Sequence, residues 1–134
     1  MKMPYSTLYN YVLLPIVYLL FQIVGLFNKK IKSGIDGRRN LFSELEKVVK
    51  KFKVGKKIIW FHSSSLGEFE QAKPIIEKLK SEKDVYVVVT FFSPSGYQNS
   101  KKYSFADYVT YIPFDTKKNA ERFVEILKPD VVLF

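Results

Sequence analysis

The chain has no cysteine and only one histidine, His62. Disulfides and thiolate metal sites are excluded, and so is a metal centre built from several histidines. Neither G-x-x-x-x-G-K-[ST] nor G-x-G-x-x-G occurs, so the common phosphate-cradling loops are missing. No internal repeat or low-complexity tract is present. Charge is also absent from Pro4 to Phe27, PYSTLYNYVLLPIVYLLFQIVGLF, a run of 24 residues. Acidic residues are scarce in the segment that follows. Between Asn28 and Lys57, eleven Lys/Arg face three Asp/Glu, a surplus of eight within a net charge of +9. What remains is a chain of 134 residues that is 47% hydrophobic, enough for one domain with a real core.

As a helix the uncharged run would be about 36 Å long, sufficient to cross a bilayer core of about 30 Å with some tilt. Its first half is fairly polar (Ser6, Thr7, Tyr9, Asn10, Tyr11), and Pro15 would kink a helix. A helix lying in the membrane interface therefore stands beside a spanning one. A buried core helix rarely lacks charge over this length. No small-x-small cleavage site follows the run; Asn28-Lys29-Lys30 comes instead. Lys29, Lys30, Lys32, Arg38 and Arg39 directly follow, which by the positive-inside rule places the downstream chain in the cytoplasm. A basic block can be a solvated helix face, a nucleic-acid surface or an anionic-lipid surface. The apolar neighbour favours lipid and argues against nucleic acid.

Three segments are expected: an anchor or interfacial helix over 4–27, a basic linker with a short helix over 28–56, and an α/β domain over 57–134. NKKIKSGIDGRRN reads as a linker or loop. LFSELEKVVKKFK predicts a helix over about 40–53, ended by Gly55. Strand and helix then alternate. KKIIWFH is a strand, and LGEFEQAKPIIEKLKSE a helix bent at Pro74, with Ile75, Ile76 and Leu79 inward. DVYVVVTFF has the near-continuous β-branched character of a strand buried on both faces of a parallel sheet. SPSG is a turn before a short helix, and DYVTYI a third strand. TKKNAERFVEILK is an amphipathic helix capped by Thr116 or Asp115, with Ala120, Phe123, Val124 and Leu127 inward. PDVVLF begins a fourth strand. The alternation predicts β-α-β crossovers and a Rossmann-like sheet. With that last strand uncovered by a helix, the sequence reads as the front part of a longer protein.

The stretch WFHSSSLGEFE carries the chemistry. Ser65-Leu66-Gly67-Glu68 fits a capping box, in which Ser65 accepts the Glu68 amide and Glu68 reaches back to the Ser65 amide. The same turn lies where open α/β sheets hold ligands, at the carboxyl end of a strand. A hydrolase elbow with Ser65 as nucleophile needs a later histidine, and His62 precedes it. His62 by itself reads as a structural residue finishing a strand. SPSG, with Ser93, Ser95 and Gly96, offers a second polar turn at the same edge or an ordinary loop.

FHSSSLGEFEQAKPIIEKLK, VTFFSPSGYQ, YVTYIPFDT and RFVEILKPDVVLF, in this order and spacing, resemble the N-terminal domain of 3-deoxy-D-manno-octulosonic acid (Kdo) transferases. The resemblance covers essentially the whole chain and implies the first Rossmann-like half of a B-type glycosyltransferase, preceded by the membrane helix. It further implies inverting, metal-independent transfer of Kdo from CMP-Kdo to a lipid A precursor at the cytoplasmic face of the inner membrane, without a cofactor. The donor would bind mostly in a C-terminal half, and this chain alone would bind acceptor without turnover. The family's general base falls on Glu68. Ser65 and Gly67 would shape the turn and let an acceptor sugar approach the backbone, and Ser95 and Gly96 would line the second turn. Pro94 departs from the family's threonine-rich pattern there. Lys29, Lys30, Lys32, Arg38 and Arg39 would meet the acceptor's phosphates or other anionic membrane lipids. A non-catalytic lipid-binding module on the same fold remains the alternative, as does a transferase of another sugar.

Overall fold

The computed structural model describes residues 5–134, so Pro4 at the head of the expected anchor lies outside the described residues. The N-terminal run forms α1 (Tyr5–Leu8), a π-helical turn (Tyr9–Leu13) and α2 (Leu14–Phe27). The disturbance expected at Pro15 appears as that widened turn, where the Leu14 amide reaches back five residues to the Tyr9 carbonyl. Among the described residues, one helical stretch, Tyr9–Leu26, is long and apolar enough to cross a membrane, and 6% of it is buried.

The segment expected as a linker or loop is instead α3 (Lys29–Asp36). The Asn28 side chain caps it, accepting from the amides of Lys30 (3.0 Å) and Ile31 (3.4 Å). Its glycines mark close packing rather than a flexible connection. A Cβ on Gly34 would come within 2.9 Å of the Pro94 ring, and one on Gly37 would overlap the Tyr111 ring. The next helix, α4 (Leu41–Val49), is shorter than the 40–53 its periodicity suggests, because its last turns loosen into single turns. Phe52 still docks there, stacked on Tyr86 at 3.9 Å between ring centres.

Strands β1 (Ile58–Ser63), β2 (Tyr86–Phe91), β3 (Tyr108–Tyr111) and β4 (Val131–Leu133) form a parallel sheet ordered β3-β2-β1-β4. Helices α5 (Leu66–Glu82), α6 (Pro94–Ser100) and α7 (Lys117–Leu127) make the crossovers, as a Rossmann-like unit requires. The SPSG turn is therefore partly helical: Pro94, Ser95 and Gly96 open α6. Proline is suited to that first turn because its missing amide hydrogen would have no helical partner there. Pro74 lies inside α5, which runs through it without interruption.

Two apolar layers sandwich the sheet. Phe61, Val87, Val89 and Phe91 pack with Phe69 and Ile76 of α5 on one face; Trp60, Val88 and Tyr111 pack with Leu41, Leu45, Phe123 and Leu127 on the other. Ile75 does not join this core and is 58% exposed. Neighbouring helical positions lie about 100° apart, so burying Phe69 and Ile76 turns Ile75 outward. Ala120 and Val124 of α7 are likewise exposed, not inward. At the sheet's N-terminal edge two aspartates hold strand starts. Asp107 accepts from the Val87 amide (2.7 Å) and Lys80 (2.9 Å), and Asp130 from the Ile58 amide (2.8 Å).

Replacing fully buried Leu45 by alanine should cost about 2–5 kcal/mol, whereas Ile75→Ala should stay within about 0.5 kcal/mol of the parent. Urea unfolding midpoints of the two variants check this placement of the core.

Candidate functional site

At the C-terminal edge of the sheet, the turns after β1, β2 and β3 come together. Arg38 ties the last two of them to α3. Its Nη1 donates to the Gly34 carbonyl, its Nη2 to Phe92 and its Nε to Ile112, each at 2.8 Å. The guanidinium carbon also lies 4.6 Å from the Tyr111 ring centre, 4.9 Å from Phe114 and 5.3 Å from Phe92. Burial lowers its pKa to about 10, so it stays charged at neutral pH. Arg38 thus differs from the membrane-surface role expected of it: all three of its donor nitrogens are engaged within the fold. Lys29, Lys30, Lys32 and Arg39 are exposed, and Arg39 pairs with Asp36 at 3.2 Å.

The first two turns are stitched together at Ser64, whose carbonyl accepts the Ser93 amide at 3.1 Å. The Ser64 amide donates to Glu68 Oε2 at 2.6 Å. The Glu68 amide in turn donates to Ser65 Oγ at 3.4 Å, as Ser65 occupies the N-cap of α5. The capping box is therefore present in altered form. The carboxylate reaches one residue further back than the Ser65 amide expected from the pattern. Glu68 is exposed, and so is Gly67. A Cβ at Gly67 would meet nothing closer than Ser65 Oγ at 4.0 Å, so the fold itself does not demand glycine there.

The second turn is less open than expected. Ser93 Oγ accepts the Gly96 amide at 3.0 Å and caps α6. Gly96 is buried against Phe91, where its Cβ would fall 2.5 Å from the ring, so it supports packing and presents no surface. Ser95 is exposed, 3.4 Å from Ser93 Oγ.

Two hollows open on either side of β1. One, of about 500 Å³, is bordered by Glu68, His62, Ser63, Gln71 and Phe134. The other, of about 460 Å³, is apolar and bordered by Trp60, Phe92, Phe114, Phe123 and Val124, with His62 and Asp115 among its polar groups. Ala120 and Val124 border this second hollow, which explains their exposure. The N-terminal helices reach the same edge: Tyr9 donates to Asp115 Oδ2 at 2.9 Å, and Tyr18 meets Phe114 edge-on at 5.3 Å. Asp115 was legible only as a possible cap, a place that Thr116 fills by accepting the Asn119 amide. Among the described residues, no group of three or more His, Asp or Glu is placed to hold a metal ion.

Arg38→Lys should destabilise the chain by about 2 kcal/mol, because one ammonium cannot serve three divergent carbonyls. Exposed Arg39→Lys should fall within about 0.5 kcal/mol of the parent. Thermal and urea unfolding of the pair check the assignment.

Residues 37–134 match the model of the 3-deoxy-D-manno-octulosonic-acid transferase (kdotransferase) family. A 3-deoxy-D-manno-octulosonic acid transferase of Aquifex aeolicus is 34% identical over 76 residues, 56% of this chain and 21% of the relative. A bifunctional glycosyltransferase/methyltransferase of Fusobacterium nucleatum is 32% identical over 104 residues, 75% of this chain and 15% of the relative. The chain thus spans about a fifth or less of the length of these curated relatives. No solved structure matches it at a significant level. The family match takes in the Glu68 turn, the Ser93 turn, Asp115 and all four strands, and the chain belongs to the 3-deoxy-D-manno-octulosonic-acid transferase family.

Proposed function

We propose that this chain forms the acceptor side of an inverting, metal-independent B-type glycosyltransferase. The enzyme moves Kdo from CMP-Kdo to a lipid A precursor at the cytoplasmic face of the inner membrane, in lipopolysaccharide biosynthesis. The observation that carries the reading is the placement of Glu68. Its carboxylate stands at the start of α5, on the ligand-binding edge of the sheet, beside a hollow and held by a single amide hydrogen bond.

An inverting transfer needs a base to take the acceptor hydroxyl's proton as its oxygen attacks the anomeric carbon opposite the departing CMP. Glu68 is that base. The helix start stabilises its negative charge, and the Ser64 amide holds it in place until the acceptor arrives. Ser65 fixes the turn, and the unfilled space at Gly67 lets the sugar approach the backbone. The exposed apolar faces of α2 engage the membrane, with Lys29, Lys30, Lys32 and Arg39 near anionic headgroups at about 1 kcal/mol each.

The test is transfer of labelled Kdo from CMP-Kdo to a tetraacylated lipid A precursor, using membranes containing the product of the whole reading frame. Glu68→Gln should lose about 10²–10⁴ in turnover while remaining folded and membrane-bound. Gly67→Ala should keep the parent's stability and raise the acceptor KM. Unchanged transfer by Glu68→Gln would reduce the carboxylate to a helix cap. No transfer by the wild type would favour a non-catalytic anionic-lipid module, for which the exposed α2 and its basic flank are the supporting observation.

A further inference from the structure

The uncharged N-terminal run touches the α/β domain from Tyr9 to Gly25. We infer that it lies flat in the membrane surface, its free side sunk among the acyl chains of one leaflet, and does not cross the bilayer. The inference deepens the membrane contact of the proposed function and rests on it for the lipid, but not on Kdo transfer.

Contacts spread along the helix fix it to the domain. Tyr9 Oη donates to Asp115 Oδ2 at 2.9 Å, and Asn10 Oδ1 accepts the Lys117 amide at 3.4 Å, both at the start of α7. Tyr18 meets Phe114 edge-on at 5.3 Å. Gly25 is buried against α3, where a Cβ would come within 3.1 Å of Ile35 and 3.6 Å of Ile31. The domain holds α3 in turn, through Arg38 and through Pro94 packed on Gly34. Asn10, Leu14, Phe21 and Gly25, all less exposed than their neighbours, recur at helical spacing and form one shielded stripe. Ile16, Leu19, Leu20, Ile23 and Leu26 lie opposite that stripe and are between 46% and 78% exposed.

Length and charge decide between the two membrane modes. At a rise of about 1.5 Å per residue, Tyr9 and Gly25 stand about 24 Å apart along the axis, most of a hydrocarbon core of about 30 Å. A crossing helix needs about 20 residues surrounded by lipid, yet the longest interval between these contacts is Tyr11 to Val17. With Tyr9 carried to the far surface, Asp115, Lys117 and Lys118 would have to enter the hydrocarbon beside it. Charged groups there are costly. Lying flat, the helix keeps those charges on the aqueous side and buries only its apolar face, and its thickness of about 10 Å fits within one leaflet. Exposed Lys29, Lys30 and Lys32 then follow at the level of anionic headgroups. Because Phe114 and Asp115 belong to the turn after β3, a flat helix also sets the C-terminal edge of the sheet beside the membrane surface.

Two measurements test this, both on membranes containing the product of the whole reading frame. The 134 residues hold no cysteine, so Met3→Cys adds a single reporter to them. A membrane-impermeant maleimide should label it in inside-out inner-membrane vesicles and not in right-side-out ones, against the same protein without the added cysteine. Labelling from the periplasmic side overturns the inference and leaves the transferase reading standing. Nitroxides attached singly through Ile16→Cys, Val17→Cys, Leu20→Cys, Ile23→Cys and Val24→Cys report depth by collision with oxygen and with a nickel chelate. A flat helix predicts that depth follows the helix face, with Ile16, Leu20 and Ile23 deepest and Val17 and Val24 shallower. Depth that changes steadily from Ile16 to Val24 marks a crossing helix and overturns the inference, as does shielding from both probes, the mark of a face covered by protein. Recovery of the protein in the soluble fraction overturns this inference and the proposed membrane contact together. Kdo transfer enters neither readout, so its absence counts against the transferase reading alone.

Discussion

One guanidinium sets the shape of the functional edge. Arg38 joins the C-terminal part of α3 to the turns after β2 and β3 through the carbonyls of Gly34, Phe92 and Ile112. The next residue along, Ser93, donates to Ser64, and Ser64 donates to Glu68. A continuous line of hydrogen bonds therefore runs from α3 across three strand ends to the proposed base. Its donors diverge from three separate nitrogens and so reach carbonyls lying in different directions, and aromatic rings surround it. The arrangement also ties the basic segment after α2 to the site. The apolar N-terminal helix and the proposed catalytic edge belong to one packed unit.

At the Glu68 turn, capping and the proposed chemistry share atoms. A carboxylate at a helix start is stabilised by free amides and by the helix dipole, which makes it easy to place there. Satisfying it fully would also make it inert. Here it accepts one short bond from Ser64 and is otherwise exposed, so its hold is local and reversible. Behind it, the Trp60–Thr90–His62 cluster is fixed by bonds that do not involve Glu68.

Much of the fold was legible in sequence. The β-branched run at Tyr86–Phe91 and the Ser65-x-x-Glu68 signal lie within elements whose limits match their patterns closely, because burial on both faces and helix capping are local in cause. Four of the errors share an origin. Gly34 and Gly37 suggested a loop, yet each is small because a side chain distant in sequence packs on it. Arg38 looked like one more cation of a surface block, and nothing local marks the carbonyls it would meet. Gly96 matched the family's turn and proved to be a packing contact. Ala120 and Val124 obeyed the helical period but border a hollow instead of core. Tertiary partners, absent from any window of sequence, decided each case. The His62–Thr90 contact was hidden for the same reason, since Thr90 lies 28 residues away.

The central claim is that a single carboxylate caps α5 at rest and is released to act when acceptor binds. The Ser64 amide reports this directly by NMR of the labelled chain in micelles, with and without tetraacylated lipid A precursor. Release predicts that the Ser64 proton loses the downfield shift and slow exchange of a bond to a carboxylate when acceptor is added. Glu68→Gln should resemble that bound state before any addition. An acceptor that shifts neighbouring amides while Ser64 keeps its bonded signal would contradict the account.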